Sequence, residues 1–208
     1  NWIRDKFINL SKKEIGAVDE TDENKWLNMI HDKVSVKLLN DFRLKMIGSI
    51  NSELELRERY FRIARPYLEM IVGNELAMQL RVNLSIQLPH DNSSLLPIHA
   101  DTWSGDSPFE VVVWIPLVDC YGTKSMYILP PEKNKGLNKG FTLPTGSSSE
   151  DLYQSISSEV MWLKIKYGEV LLFNQGLPHG NIINKENETR WSMNCLLYTS
   201  PSPRDKRQ

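Results

Sequence analysis

The chain has 208 residues and a mass of 24.1 kDa, a length that fits one domain with its own hydrophobic core. Its composition, 40% hydrophobic and 25% charged, excludes disordered, collagen-like and coiled-coil proteins. The 25 basic and 26 acidic residues give a net charge of −1, which argues against a nucleic-acid partner.

Three further features predict a cytoplasmic protein. The longest apolar run, 111–118, has 8 residues and contains Pro116, whereas a membrane-spanning helix needs about 20. The two cysteines, Cys120 and Cys195, form neither a disulfide framework nor a CxxC metal site, which is typical of reduced thiols. No basic-then-apolar leader follows Asn1.

The N-terminal region of the chain predicts helices. Apolar residues recur at spacings of three and four over 26–39, and again over 54–73. Gly73 is a suitable C-cap for the second helix, and Pro66 is expected to kink or divide it. We expect residues 1–78 to form a helical segment that packs on one face of a sheet.

From residue 79 the hydrophobic pattern changes to a period of two, which predicts strands. The clearest is 81–88, where valine, leucine and isoleucine alternate with polar residues. Further strand candidates are 97–101, 109–117, 125–129, 160–166, 169–174 and 190–198. Clusters of Gly, Pro, Asn and Ser at 130–136 and 144–150 indicate turns. The stretch 130–159 is long for a loop, so it is either a mobile lid or holds a short helix near 151–157.

Helices followed by about seven short strands predict an α+β fold with a β-sandwich or barrel. We expect the helical segment, residues 1–78, and the strand-rich segment, residues 79–198, to form one domain. The last ten residues, 199–208, turn abruptly polar and rich in Pro and Ser. We therefore expect a non-native or disordered tail there.

Two histidines and an aspartate form a candidate metal site. His99 and Asp101 are two apart in a predicted strand, where such side chains share a face. His179 follows 80 residues later, just after another predicted strand. Two imidazoles and one carboxylate on one side of an ion form the facial triad of non-haem Fe(II) oxygenases. The alternative is three separate polar residues, each satisfied by its own hydrogen bonds.

The segment after His179 contains a candidate anion site. Arg190 lies 11 residues beyond the histidine, and Ser192 shares its face in a predicted strand. A planar guanidinium matches a carboxylate, and a serine adds a short donor. A buried arginine beside a metal needs an anion, which a dicarboxylate that chelates the metal through its keto acid would supply. The alternative is a salt bridge within the sheet, for instance to Glu110.

Taken together, these residues resemble the 2-oxoglutarate-dependent Fe(II) oxygenases. The segment H-G-N-I-I-N, which begins at His179, is similar to the H-G-S-x-x-N of the phytanoyl-CoA dioxygenase-like branch, with Asn181 in place of the serine and Asn184 retained. The stretches LPIHADTWSGDSPFEVVVWIPLVD and TKSMYILP look most like the oxygenases of sporadic bacterial carbohydrate-biosynthesis clusters. The resemblance covers residues 80–198.

The resemblance implies a double-stranded β-helix, a cupin-like jelly roll, with the metal at one open end. It implies that His99, Asp101 and His179 bind Fe(II) and carry the catalysis. It also implies that Arg190, helped by Ser192, holds the distal carboxylate of 2-oxoglutarate.

Five more residues are candidates for ligand contacts. The family uses polar residues of an early strand to contact the cosubstrate, which points to Asn83 and Gln87, and a strand phenol such as Tyr127 often completes its carboxylate pocket. Trp103 and Asp106 lie in the loop after the predicted metal ligands. There a tryptophan would offer a sugar ring an apolar face, and a carboxylate would bind its hydroxyls. The alternatives are structural hydrogen bonds for the polar residues and a place in the core for Trp103.

The sequence thus predicts an Fe(II)- and 2-oxoglutarate-dependent dioxygenase that uses O₂ to hydroxylate a sugar or carbohydrate-linked metabolite in polysaccharide or secondary-metabolite biosynthesis. A cupin-type nucleotide-sugar isomerase or epimerase could share the fold and use His179 as a base, but it would not explain Arg190 and Ser192. A non-catalytic sugar-binding jelly roll is the third hypothesis, and the presence of all three ligand types argues against it.

Overall fold

The structure, a computed structural model, describes residues 2–16, 22–140 and 148–199 and combines α helices with antiparallel strands. The helices are α1 (Trp2–Ile15), α2 (Glu23–Trp26), α3 (Val36–Asn51), α4 (Leu56–Val72), α5 (Pro131–Gly140) and α6 (Ser149–Ile156). The strands are β1 (Leu76–Met78), β2 (Asn83–Gln87), β3 (Glu110–Pro116), β4 (Tyr127–Ile128), β5 (Met161–Trp162), β6 (Leu171–Asn174), β7 (His179–Gly180) and β8 (Arg190–Thr199). The predicted mixture of helices and sheet is confirmed.

The described strands form two antiparallel sheets. In the larger sheet, β8 lies in the middle, with β3 along one side and β6 beyond it. On the other side of β8, β2 pairs with its first half and β1 with its second half. The smaller sheet has the order β5-β4-β7. The long β8 strand therefore organises the larger sheet, while β7 belongs to the smaller one.

The N-terminal helices pack on one face of the larger sheet, as expected. Alternate residues of a strand point to opposite faces, and Trp191 and Met193 of β8 are fully buried on the helix side. The Trp191 ring lies 5.7 Å from the ring of Phe7 in α1 and 6.0 Å from that of Phe42 in α3. Its indole Nε1 donates a hydrogen bond to the carbonyl of Leu27 at 2.9 Å. The other face of β8 is left to the interior between the sheets.

Helix α4 runs through Pro66 as one element, so the expected division is absent, and the expected kink stays a prediction. Proline removes one backbone hydrogen bond, to the carbonyl four residues earlier. Here that carbonyl belongs to Arg62, and both residues are exposed, so water can satisfy it. The helix ends as expected at Gly73, whose φ of +85° suits glycine.

Two local expectations were wrong, and one strand was not predicted. The predicted strand 97–101 contains only one bridging residue, because its neighbour β7 is two residues long. The predicted turn at 130–136 begins α5 instead, since proline fits the first turn of a helix and Pro131 stands there. The short strand β1 was not anticipated.

Two other expectations concern the middle and the end of the chain. The short helix expected near 151–157 is confirmed by α6. Of the expected tail 199–208, Thr199 ends β8 and the remaining residues lie outside the described region of the chain. The division into 1–78 and 79–198 stays a prediction. No helix in the described residues is both long and apolar enough to cross a membrane.

Candidate metal and anion site

The two predicted histidine ligands face each other on paired backbone segments. The N–H of His99 donates to the carbonyl of His179 at 3.0 Å, and the N–H of His179 donates to the carbonyl of His99 at 2.8 Å. Residues paired in this way carry their side chains on the same face. The two imidazole centroids are accordingly 4.3 Å apart. A single antiparallel bridge therefore brings together two histidines that are distant in sequence.

Asp101, the predicted carboxylate ligand, lies beside the two histidines although the expected strand 97–101 is not formed. Ala100 has extended backbone angles, so His99 and Asp101 still point the same way. The N–H of Asp101 donates to the carbonyl of Gln175 at 3.1 Å, and its carboxylate Oδ1 lies 3.4 Å from Nε2 of His99. One donor atom from each of His99, Asp101 and His179 lies within 4.8 Å of the others.

Backbone carbonyls orient both imidazoles. Nδ1 of His99 lies 2.8 Å from the carbonyl oxygen of Pro97, and Nδ1 of His179 lies 2.9 Å from that of Leu177. A carbonyl only accepts hydrogen bonds, so each Nδ1 carries a proton. Each Nε2 is then free to bind a metal, the arrangement that second-shell contacts impose on histidine ligands.

The two imidazoles differ in pKa. Burial, and next the proximity of His99, lower the pKa of His179 to about 4. Burial also lowers the pKa of His99, but the hydrogen bonds to Asp101 and to the Pro97 carbonyl, with the charge of Asp101, outweigh it and leave that pKa above its ordinary value. His179 is thus neutral at physiological pH, the state in which imidazole binds a metal.

Arg190 is a buried cation without an anionic partner among the described residues. It is 4% exposed, and burial lowers its pKa to about 10, so it remains charged near neutrality. Nη1 donates to the carbonyl of Ser125 at 2.9 Å and Nη2 to Oγ of Ser85 at 2.8 Å, while Nε has no hydrogen-bond partner. In the described region of the chain, no carboxylate oxygen lies within 4.0 Å of the guanidinium nitrogens. An anion would satisfy this group.

The alternative salt bridge to Glu110 is not formed. Glu110 begins β3, where it pairs with Tyr198 near the end of β8. Arg190 is the first residue of β8 and lies beyond the other end of this pairing. The two side chains therefore belong to opposite ends of the larger sheet.

Arg190 and one predicted metal ligand, His179, line the same cavity. It has a volume of about 60 Å³. Its lining includes Ser85, Phe173, His179, Arg190 and Ser192. A ligand in this space can touch the guanidinium, the serine hydroxyls and one of the predicted metal ligands at once.

The predicted cosubstrate residues of β2 are placed differently from each other. Gln87 lies opposite Arg190 and is fully buried; its Nε2 donates to the carbonyl of Ile182 at 2.7 Å, and its Oε1 has no partner. Asn83 lies opposite Asn194 and is exposed. Gln87 is therefore adjacent to Arg190 across the strands, but neither Gln87 nor Asn83 lines the shared cavity.

Tyr127 does not line that cavity. Along its strand, Met126 faces the cavity and Ile128 the main core, so the residue between them points to the outer face of the smaller sheet. There Tyr127 packs against Tyr153, with ring centroids 4.8 Å apart, and against Trp162 at 5.3 Å. The structure therefore separates Tyr127 from Arg190.

The predicted substrate residues lie directly beside the metal cluster. Trp103 belongs to the 3₁₀ helix Asp101–Ser104 and is 44% exposed, which argues against the alternative of a core tryptophan. Gly105 follows with a φ of +90°, and the N–H of Asp106 donates to the carbonyl of Asp101 at 3.4 Å. Both side chains are thus carried on a tight turn that begins at Asp101.

Sequence reasoning missed three polar residues of the cavity, Ser85, Asn181 and Asn194. Ser85 binds the guanidinium, and it stands between Asn83 and Gln87 on the polar face of β2, so the alternation could have identified it. Asn181 lines the same cavity, and its Oδ1 accepts from the N–H of Leu96 at 2.7 Å. No local pattern points to that second contact, because its partner is 85 residues away.

Comparisons with known proteins concern the fold. No protein-family model and no curated protein matches the sequence. HygX from Streptomyces hygroscopicus, solved with iron bound, is similar with a TM-score of 0.54 and 15% identity over 88% of each chain. EvdMO1 is similar with a TM-score of 0.51 and 18% identity over 71% of this chain and 33% of its own.

SnoN, a non-heme alpha-ketoglutarate-dependent epimerase from nogalamycin biosynthesis, is a more distant match. Its TM-score is 0.47 and its identity 15%, over 70% of this chain and 58% of its own. The chain thus spans less than two thirds of the length of EvdMO1 and of SnoN. The likenesses to HygX and EvdMO1 show a shared fold at very low sequence identity.

Proposed function

We propose that this protein is an Fe(II)- and 2-oxoglutarate-dependent oxygenase of double-stranded β-helix fold that hydroxylates a sugar or carbohydrate-linked metabolite. One observation carries the proposal. The donor atoms of His99, Asp101 and His179 lie within 4.8 Å of one another, and the cavity that His179 lines also holds the unpaired cation Arg190. This arrangement fits a metal chelated by an acid whose far end is also anionic.

The donor set fits ferrous iron. Two neutral imidazole nitrogens and one carboxylate oxygen leave half of an octahedral coordination shell to exogenous ligands. No cysteine belongs to the cluster, so the soft thiolate ligands of structural zinc sites are missing from it. The fold likeness to HygX, which was solved with iron bound, is consistent with this metal.

The anion site fits the distal carboxylate of 2-oxoglutarate. Arg190 lies on β8 of the larger sheet, and His179 lies on β7 of the smaller one, so a ligand that contacts both must span the interior between the sheets. Ser192 is 2% exposed, lines the cavity and pairs with Ser85 across the strands. A guanidinium flanked by two hydroxyls can bind a carboxylate by charge-assisted hydrogen bonds.

The described residues would then have distinct roles. His99, Asp101 and His179 would hold the metal, while Arg190 and Ser192 would fix the orientation of the cosubstrate. When bound, iron with 2-oxoglutarate and O₂ supplies an oxidation that converts a C–H bond to C–OH, with succinate and CO₂ as coproducts. The buried walls, including Phe173, whose ring centroid lies 5.0 Å from that of His179, would limit the access of water.

The carbohydrate substrate is supported by the turn after the cluster. Trp103 offers a partly exposed aromatic face next to Asp101, and Asp106 follows on the same turn. Sugars stack their apolar ring faces on such side chains and donate hydroxyl hydrogen bonds to carboxylates. The H-G-N-I-I-N segment and Arg190 favour the phytanoyl-CoA dioxygenase-like branch within this class.

The visible absorption of anaerobic protein with Fe(II) and 2-oxoglutarate tests the proposal. We expect a weak charge-transfer band that Asp101→Ala abolishes, because it removes a metal ligand, and that Arg190→Ala shifts to higher cosubstrate concentrations. His90→Asn is the control. His90 is exposed with a φ of +56°, a conformation that asparagine tolerates, so its band should not change.

Further results separate the proposal from the isomerase and sugar-binding hypotheses. If Asp101→Ala and Arg190→Ala both leave the band unchanged, the assigned roles are wrong. Succinate release driven by free sugars and nucleotide sugars then tests the substrate class. Activity that is insensitive to chelators and to removal of oxygen would favour the isomerase hypothesis instead.

A further inference from the structure

A second pocket lies on the outer face of the smaller sheet, apart from the metal cluster. Helix α6 forms one wall, and the segments 95–98 and 181–185 form the other. Its volume of about 350 Å³ is within the range of small-molecule sites. The lining combines a tyrosine pair, Tyr127 and Tyr153, with the isoleucines Ile98 and Ile182.

The hydroxyl of Tyr127 has no partner in this pocket. Tyr127 is 1% exposed and lines the pocket, yet its hydroxyl forms no hydrogen bond to any residue of 2–16, 22–140 or 148–199. The hydroxyl oxygen itself is not sealed from solvent, so a molecule in the pocket can form a hydrogen bond with it. Burial raises the pKa of Tyr127, and the neighbouring Tyr153 and the charge of Glu150 raise it further, so the hydroxyl keeps its proton and can both donate and accept.

The remaining lining restricts the chemistry of a ligand. Two charged side chains of opposite sign, Glu150 and Lys185, lie exposed at the rim, so the pocket favours neither anions nor cations. The rest of the lining combines the uncharged polar residues Ser149, Gln154 and Asn181 with aliphatic and aromatic side chains. The apolar side chains suit the apolar face of a ring. We propose that this pocket binds an uncharged, hydroxyl-bearing ring of the sugar type, with the Tyr127 hydroxyl as its buried hydrogen-bond partner.

The wall of the pocket is shared with the metal site. The carbonyl of Pro97, a lining residue, orients the ring of His99. Asn181 lines both the pocket and the Arg190 cavity, and it is joined to Leu96 by two hydrogen bonds of 3.0 and 2.7 Å. A sugar bound here therefore touches the backbone that carries two predicted metal ligands, without occupying the metal site.

Saturation-transfer NMR on the metal-free protein tests this binding without iron or 2-oxoglutarate. The probes are methyl glucoside, methyl galactoside and N-acetylglucosamine. We expect at least one to receive saturation, and Tyr127→Phe, which keeps the ring and removes the hydroxyl, to weaken its binding about tenfold. Tyr121→Phe is the matched control, since this half-exposed tyrosine lies outside the pocket and its affinity should equal that of the unaltered protein. Tyr153→Leu, a second variant, should also weaken binding by removing the stacked ring.

The following outcomes would overturn the proposal that this pocket binds a sugar. Absence of saturation transfer for all three saccharides, or equal affinity of Tyr127→Phe and the unaltered protein, would show that the hydroxyl serves no such ligand. Loss of sugar binding in Asp101→Ala would place the sugar at the metal cluster, which would leave the proposed function intact. A loss of 2-oxoglutarate affinity in Tyr127→Phe would assign the hydroxyl to the cosubstrate.

Discussion

Arg190 owes its chemistry to two neighbours, Ser85 and Ser125, that lie far from it in the sequence. Burial would strongly disfavour its charge unless hydrogen bonds compensated, and the carbonyl of Ser125 and the hydroxyl of Ser85 supply two of them. They also fix the plane of the guanidinium, which leaves Nε unpaired. A carboxylate that enters the cavity would meet a cation whose orientation is already set, and pre-organisation of this kind favours affinity.

Replacement of Ser85 by alanine tests this orientation. We expect 2-oxoglutarate affinity to fall about tenfold, because the guanidinium loses one fixing hydrogen bond, while Fe(II) affinity stays unchanged since Ser85 is absent from the metal cluster. Anaerobic titration of the charge-transfer band measures both. Ser52→Ala, at an exposed helix end, is the control. An unchanged cosubstrate affinity in Ser85→Ala would contradict the positioning role.

Gly180 is required by close packing next to His179. A Cβ at this position would lie 2.6 Å from the hydroxyl oxygen of Tyr127 and 2.9 Å from the backbone oxygen of Leu96. We expect Gly180→Ala to lower the free energy of unfolding by about 1–3 kcal/mol. Gly48→Ala is the control: Gly48 lies in α3 with no atom near its Cβ position, so the change should stabilise the helix by up to about 1 kcal/mol. Urea unfolding distinguishes them, and equal stability of both variants would refute the steric argument.

The candidate site could be predicted from sequence where residue type restricted the choice. Histidine and aspartate two residues apart, followed by a distant histidine and an arginine, are few enough to stand out, and the structure brings all four to one region. Tyr127 could not be placed. Its segment SMYIL is apolar on both strand faces, so the alternation does not reveal which face lies inside. Only the packing of α6 on the outer face decides it.

At the scale of elements, the length of a strand determined how well the sequence could predict its bounds. The long strands β2, β3 and β8 agree with the predicted segments within about two residues at each end, since a period of two over several residues is a strong signal. The segments 125–129 and 160–166 were predicted too long, because β4 and β5 pair over only two residues. Pairing depends on a partner that is distant in sequence, and local alternation cannot report it.

Helix α4 is fixed to the larger sheet by a buried hydrogen bond as well as by its apolar stripe. The hydroxyl of Tyr60 donates to the carbonyl of Val113 in β3 at 2.8 Å, and Tyr60 is fully buried. We expect Tyr60→Phe to destabilise the fold by about 1–2 kcal/mol, because the change removes this buried hydrogen bond. Tyr67→Phe, in the same helix but 58% exposed, should change stability by less than about 0.5 kcal/mol. Comparable losses of stability in Tyr60→Phe and Tyr67→Phe would show that the hydrogen bond to Val113 does not stabilise the fold.

At the scale of the whole molecule, the proposed ligands would connect the two sheets. The metal cluster includes β7 of the smaller sheet, and the guanidinium belongs to β8 of the larger one. The described strands of the two sheets share no ladder. A molecule bound to both would therefore add a link across the interior, and its effect should appear in the stability of the complete fold.

Thermal unfolding under anaerobic conditions measures that link. Ligand at about one hundred times its dissociation constant stabilises a protein by about 2.7 kcal/mol, or about 5–10 °C for a domain of this size. We expect Fe(II) alone to raise the melting temperature and 2-oxoglutarate to raise it further. Pyruvate carries the same keto acid without a distal carboxylate, so it should add much less.

Two variants show which residues are responsible for each rise in melting temperature. Asp101→Ala should lose the response to Fe(II) and, with it, the response to 2-oxoglutarate. Arg190→Ala should keep the response to Fe(II) but no longer distinguish 2-oxoglutarate from pyruvate, because the guanidinium is the group that recognises the distal carboxylate. If the unaltered protein responds equally to the two keto acids, Arg190 does not bind the cosubstrate, and the two sheets are held together by their own packing alone.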